Sequence, residues 1–247
     1  VIEIGRARLH RGEELSLMMA MPDDSVDAIL TDPPYSTGGV HASQRQQAPG
    51  KKYQSSHAQR RHAEFHGDNR DQRSFTLWAS LWLAECYRVA KDGAACMVFT
   101  DWRQLPAMTD AMQIGGWTWR GIVVWDKPTA RPILGEFRRQ CEYVVFGVKG
   151  KLTAAHRRCL PGVYRHSIIA HQRRMHMTEK PLPLIHDLLD VTPEGCTVLD
   201  PFMGSATTGA VCLQTGRSFI GMELSPDYFQ IACDRLNLVA DSGVEKL

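Results

Sequence analysis

The stretch VLDPFMGSATTGAV, Val198 to Val211, decides how this chain is built. It reads as a short buried strand, a tight turn on glycine and a helix of small residues. Glycine lets the backbone turn sharply, and the N–H groups at the helix start behind it can face an anionic part of a ligand. Taken alone, such a turn is equally a tight connection with no ligand. The following strand, RSFIGME (217–223), ends on Glu223, 23 residues beyond Asp200. That is close to the roughly 20-residue offset at which a carboxylate accepts hydrogen bonds from a bound ribose. The dinucleotide pattern GxGxxG is absent, which points to a nucleoside without a pyrophosphate.

Working outward, CTVLD (196–200), a helix from about Ser205, RSFIGME and a last helix over Pro226 to Val239 form a βαβα unit. Strand-like runs alternate with helical patterns upstream as well, the mark of a mostly parallel α/β sheet. DAILTD (27–32) and AACMVF (94–99) are strands, and QLPAMTDAMQ (104–113) is a short helix. In SFTLWASLWLAECYRVA (74–90), Trp78, Leu81, Trp82, Cys86 and Val89 recur at helix-face spacing, with Gly93 as a stop. WRGIVVW (119–125) and EYVVFGV (142–148) suit an antiparallel pair at one edge, and PLPLIHDLLD (181–190) starts with a proline where a helix tolerates it. Residues 36–73 hold too few aliphatic side chains for a packed element and read as a mobile basic loop. Residues 149–180, rich in Arg and His, read as an irregular excursion.

A chain of 247 residues, 43% hydrophobic and 23% charged, suits one soluble α/β domain over 1–247. No stretch approaches the roughly 18 apolar residues of a membrane span, and the opening VIEIGRARLHRG lacks the apolar core of a secretory signal. The expected location is the cytoplasm. Cys86, Cys96, Cys141, Cys159, Cys196, Cys212 and Cys233 are odd in number and contain no CxxC pair, so they read as reduced core residues. The ten histidines lack metal-ligand spacing, and no metal is expected. Net charge is +2, but residues 36–74 carry seven Lys/Arg against three Asp/Glu, and residues 127–180 carry twelve against three. Two basic segments on an acidic body suggest a localised polyanion surface.

A second stretch, LTDPPYSTGG (30–39), sets an aspartate, two prolines and a tyrosine at the end of a buried strand. DPPY followed far downstream by DPFMGSATTG and then by GMELSPDY resembles the S-adenosylmethionine-dependent DNA amino-methyltransferases. More narrowly, the order resembles the β-type adenine-N6 and cytosine-N4 enzymes, whose catalytic motif precedes the cofactor motif. The resemblance extends over nearly the whole chain. It implies a circularly permuted Rossmann-like methyltransferase: a doubly wound mixed sheet of about seven strands, cut so that the N-terminal strand near 7–10 follows the C-terminal helix in space. DAILTDPPY and CTVLDPFMG then end at one cleft, since ligands in such sheets sit beyond the carboxyl ends of strands.

The resemblance also implies a chemistry. The lone pair of an exocyclic amine is delocalised into its ring, and two acceptors for its N–H bonds would turn that lone pair towards a methyl group. Asp32 supplies a carboxylate and Pro33 a carbonyl on a restricted backbone, with Pro34 behind it and Tyr35 stacking on the base. The base must leave the duplex to reach them. For the cofactor, S-adenosylmethionine, the resemblance names Asp200, Pro201, Phe202, Gly204, Ser205, Thr207, Thr208 and Glu223. It adds Lys180 of TEKP near the methionyl carboxylate and Glu13 near the adenine. Ala206 stands where the family usually has glycine; its methyl is expected to be tolerated at the helix start, with weaker cofactor binding. Double-stranded DNA is the implied partner. The candidate contacts are Lys51, Lys52, Arg60 and Arg61 in the loop, and Arg131, Arg138, Arg139, Arg173 and Arg174 in the 127–180 target-recognition interval. A homodimer, a bacterial or phage origin and a place in restriction-modification go with the resemblance. Asp at the head of the motif favours adenine-N6 over cytosine-N4, and an inactive DNA-binding regulator is the reading outside enzymes.

Overall fold

The structure, a computed structural model, describes residues 1–35, 70–153, 155–156, 158–169 and 179–241. Among the described residues nine strands form one sheet: β1 (Ile2–Ile4), β2 (Ala7–Arg11), β3 (Val26–Thr31), β4 (Ala90–Thr100), β5 (Thr118–Asp126), β6 (Cys141–Val148), β7 (Val163–Arg165), β8 (Thr197–Asp200) and β9 (Ser218–Glu223). Among the described residues the helices are α1 (Glu14–Met19), α2 (Gln72–Val89), α3 (Leu105–Ile114), α4 (Leu182–Leu189), α5 (Thr207–Gln214) and α6 (Pro226–Asp241). The spatial order is β1-β2-β9-β8-β3-β4-β6-β5-β7. The two strands beyond the expected seven are the three-residue β1 and β7, one at each edge.

Alternation along the strands explains why both sheet faces carry helices. Ala28 and Leu30 of β3, Met97 and Phe99 of β4, and Phe219 of β9 pack on one side with Leu184, Ala210 and Phe229 of α4, α5 and α6. Ile29, Cys96, Val98 and Met222 face the other side, against Met18, Trp82 and Met108 of α1, α2 and α3. Successive side chains point to opposite faces, so a strand buried on both reads as a continuous apolar run.

The chain's beginning completes what its later part leaves open. β2 lies parallel to β9, in register from Ala7↔Phe219 to Arg11↔Glu223. The N-terminal strand therefore takes the place after α6, as the permuted order requires. β8 lies between β9 and β3, and β3 is parallel to β4. From β8 the chain passes through α5 on one face, whereas β3 and β4 are flanked by α2 on the other. The crevice between the ends of β8 and β3 is thus a topological switch point.

Several local expectations are corrected. Helix α2 starts at Gln72, inside the stretch assigned to the loop, because Asp71 caps it by accepting from the N–H groups of Arg73 and Ser74. Its buried face is centred on Phe75, Ala79, Trp82, Leu83 and Cys86, which leaves Leu81 half exposed. Gly93 does not stop the helix; it lies inside β4 at φ +86, where pairing with β3 slips from Val26↔Ala90 to Ala28↔Ala95. A bulge needs that conformation, and glycine adopts it without a steric penalty. β7 interrupts the expected excursion after 149 by pairing with the outer edge of β5, too short and exposed to show a period. Five cysteines are core residues, but Cys141 is only partly covered and Cys159, in irregular chain, is exposed.

Ala206 does not sit within the helix but caps it, at φ 56 and ψ 43. A left-handed alanine costs roughly 1–2 kcal/mol. Its methyl is fully buried, and burying one such carbon returns about 0.8 kcal/mol. Glycine there would also cost about 0.4–1 kcal/mol through the freer unfolded chain. The terms nearly cancel, which is why alanine is accepted. Ala206 does not line the cavity described below.

A candidate active site between two strand ends

β3 and β8 are hydrogen-bonded neighbours running the same way, so the segments that follow them emerge side by side. The Thr31 hydroxyl donates to Asp200 Oδ1 at 2.7 Å, tying the two motifs together across 169 residues of sequence. Between them opens a cavity of about 690 Å³, within the roughly 300–1,000 Å³ of small-molecule sites. All fourteen residues singled out for catalysis or cofactor contact line it.

On the β3 side, charges interlock. The Tyr35 hydroxyl donates to Asp32 Oδ1 at 2.5 Å, and the Lys180 ammonium donates to Asp32 Oδ2 at 2.5 Å and to the Tyr35 hydroxyl at 3.2 Å. Lys180 Nζ also lies 3.4 Å from Glu142 Oε2, while Lys127 holds Glu142 Oε1 at 2.7 Å. Burial alone would pull Lys180 down, but Asp32 and Glu142 outweigh it and hold the ammonium above its ordinary value. Burial would raise Glu142, yet Lys180 and Lys127 keep its carboxyl low. Burial pushes Asp32 up, with Lys180 opposing, and burial followed by the Asp32 charge keeps the Tyr35 phenol protonated. Lys180, read from sequence as a cofactor contact, is therefore seen bonded to the DPPY side.

On the β8 side, the DPFMGS turn is held from within. Asp200 Oδ1 accepts from the Phe202 N–H at 3.1 Å as well as from Thr31. Burial lifts its carboxyl to about 7, against the pull of Thr31, Phe202 and Thr208. Glu223 accepts from the Gly204 N–H at 3.0 Å and from the Ser225 N–H at 2.7 Å. Burial raises it to about 7 as well. Arg235 of α6 donates to Thr207 Oγ1 at 2.7 Å and to Ser205 Oγ at 3.4 Å, and pairs with Glu179 beside Lys180. Two of the expected cofactor hydroxyls thus already have a protein partner. Glu13 caps α1 with Oε2, which accepts from the Ser16 N–H at 2.7 Å.

The wall between them is aromatic. Phe202 meets Trp78 and Trp82 edge-on at 5.5 and 5.2 Å. Arg70 stands 4.3 Å over Trp78, whose indole N–H donates to Glu14 Oε1 at 3.3 Å. At the mouth, half-exposed Trp102 lies within 6 Å of both Arg103 and Arg139. Sequence reasoning overlooked Arg70, Glu14, Trp102, Lys127 and Glu142; an acidic residue heading a buried strand inside a basic interval was the one signal for Glu142. Of the DNA-contact candidates, Arg131, Arg138 and Arg139 are exposed, Arg138 donating to Pro128 O at 3.0 Å and Arg139 pairing with Glu136 at 2.9 Å. Lys51, Lys52, Arg60, Arg61, Arg173 and Arg174 lie outside the described residues. Among the described residues no group of His, Cys, Asp and Glu could hold a metal, and no helix is long and apolar enough to cross a membrane.

A doubly wound sheet opened at its switch point, with a carboxylate-bearing turn on each side of one cavity, defines a ligand-binding α/β fold. The chain matches the N6/N4 methyltransferase family, described as DNA methylase, over residues 26–172 and 155–234. It belongs to that family and is a DNA methyltransferase. It is 30% identical over 237 residues to YubD of Escherichia coli (strain K12), named as a methylase, covering 94% of this chain and 91% of that one. It is 25% identical to the type II methyltransferase M.HinfI of Haemophilus influenzae, covering 92% and 67%. Among solved structures, M1.HpyAVI in complex with SAM superposes with a TM-score of 0.68 at 22% identity, covering 94% of this chain and 99% of that one. The cytosine-N4-specific PvuII DNA methyltransferase does so with 0.68 at 16%, covering 99% and 94%.

Proposed function

We propose that this protein transfers a methyl group from S-adenosylmethionine to the N6 amine of an adenine flipped out of duplex DNA, at a specific site. The observation that carries the reading is the placement of Asp32 at the end of β3, facing across one cavity the Glu223 carboxylate and the Gly204 turn. Glu223 has the place and chemistry of a ribose acceptor, and Phe202 with Trp78 offers an apolar wall; these residues fit the cofactor. S-adenosylmethionine supplies an activated methyl group on a sulfonium. Asp32 and the Pro33 carbonyl accept the two N–H bonds of the amine, Pro34 stiffens the turn and Tyr35 covers the base. Most of the acceleration then comes from holding the amine in line with the methyl group. Asp200, through Thr31, fixes the spacing between the two halves.

Residues 127–180 are the target-recognition region in this proposal; their twelve Lys/Arg against three Asp/Glu suit a polyanion, and Arg139 of this interval lines the cavity together with Trp102. The basic segment 36–69 contacts DNA alongside them. The protein acts on chromosomal DNA in the cytoplasm, as a homodimer whose two-fold axis suits a palindromic site. The target base is decided by mass spectrometry of nucleosides from DNA incubated with protein and cofactor. N6-methyladenine is expected. A dominant N4-methylcytosine signal would move the assignment to cytosine, and 5-methylcytosine would overturn direct attack by an amine.

A further inference from the structure

Both carboxylate oxygens of Asp32 are already taken, Oδ1 by the Tyr35 hydroxyl and Oδ2 by the Lys180 ammonium, each at 2.5 Å. Each oxygen has a second lone pair, but an amine that approaches Oδ2 competes there with the Lys180 ammonium. Lys180 cannot withdraw freely into solvent: its side chain is only 6% exposed, and a buried ion stripped of its partner is strongly unfavourable. A second carboxylate stands ready for it. Glu142 has Oε1 fastened by Lys127 at 2.7 Å, which leaves Oε2 beside Lys180, 3.4 Å from Nζ. That oxygen is shut off from solvent and makes no well-aligned hydrogen bond, so it is already ion-paired with the ammonium while lying off good bonding geometry. A buried acceptor left unsatisfied needs an explanation.

We propose that Glu142 is a positioning residue that takes the Lys180 ammonium from Asp32 when the target amine enters, freeing Asp32 Oδ2 to accept from the base. The proposal rests on Asp32 as the amine acceptor. No proton changes hands: Lys180 stays an ammonium and exchanges one carboxylate for another. Two carboxylates and two ammonium groups make a neutral quartet, so the shift leaves no buried charge alone. Lys127 holds Glu142 so that it cannot turn away. Before DNA binds, the same quartet keeps Asp32 closed.

The test is single-turnover transfer of labelled methyl groups to unmodified genomic DNA by the wild type, E142Q and E142D, with cofactor affinity measured separately. E142Q keeps the size of the side chain but cannot accept an ammonium as an ion pair, so it should slow transfer at least tenfold while cofactor affinity stays within threefold. E142D restores the charge and should return to within about fivefold of the wild type, which a merely structural role would not predict. Transfer by E142Q within threefold of wild type, or E142D as slow as E142Q, overturns the proposal. Should E142Q fail to fold, K127M takes its place, since Glu142 then loses its anchor; at least fivefold slower transfer is expected, and an unchanged rate is contrary. A wild type that methylates no DNA overturns the functional reading itself, whereas an active wild type with an indifferent E142Q overturns only the role of Glu142.

Discussion

Removing Asp32 and removing Glu223 should injure different functions. In the proposed reaction Asp32 accepts from the base, and its loss leaves Lys180 beside Glu142. Asp32→Ala should therefore abolish turnover while leaving cofactor affinity within about tenfold, or 1.4 kcal/mol. Glu223→Ala should weaken cofactor binding, because the ribose loses an acceptor; calorimetry showing the reverse pattern would exchange the two halves of the cleft. Glu223 also predicts a pH dependence. Burial raises its carboxyl from an ordinary 4.5 to about 7. The folded chain then keeps a proton that the unfolded chain gives up. This group's contribution to stability is fully present below about 4.5 and is lost as pH rises through about 7. Ligand binding runs the other way, since ribose hydroxyls donate to the ionised form. Cofactor affinity should fall about tenfold per pH unit below 7, with nearly one proton released on binding. Affinity that stays flat from pH 6 to 8 would show that the Glu223 carboxyl is not raised to about 7 before the cofactor binds.

At the scale of elements, helix α5 lies so close to β9 that a Cβ on Gly209 would stand 2.7 Å from two carbons of the fully buried Phe219 ring. Alanine would gain about 1 kcal/mol of helix propensity. Overpacking against the ring costs about 1–3 kcal/mol. Gly209→Ala should on balance destabilise, read as a lower urea midpoint at unchanged slope; a rise in the midpoint would show that the ring can yield. Such closeness explains what was legible in the sequence. The two motifs are contiguous runs, so recognising DPPY and DPFMGS brought each motif's neighbours to the cavity wall together. Glu142 was hidden because β6 runs antiparallel to β4, with Thr100 opposite Tyr143, and only that pairing carries residue 142 towards residue 32. Arg70 was hidden for a related reason: its place follows from the Asp71 cap and the indole of Trp78, eight positions on. Periodicity found α2 but put Leu81 inside, because one residue of helix turns the side chain about 100°.

For the whole molecule, charge distribution matters more than net charge. With only +2 overall and twelve Lys/Arg against three Asp/Glu over 127–180, DNA binding should depend steeply on salt through counterion release. Arg131, exposed on this segment, is expected to touch phosphate. Arg131→Ala should reduce the slope of log affinity against log salt by about one, leaving cofactor affinity unchanged. An unaltered slope would remove it from the DNA backbone. The bond between Thr31 and Asp200, 169 residues apart, has a further consequence on the ribosome. At about 5–20 residues per second, β3 waits on the order of 10–30 s for the strand that must lie beside it. Through that interval a nascent chain shows an open, apolar strand edge, a hazard for aggregation, and the two walls of its cleft have not met. Ribosome-stalled chains ending before β8 should remain protease-sensitive and unable to retain cofactor, gaining both properties only once β8 and β9 have emerged.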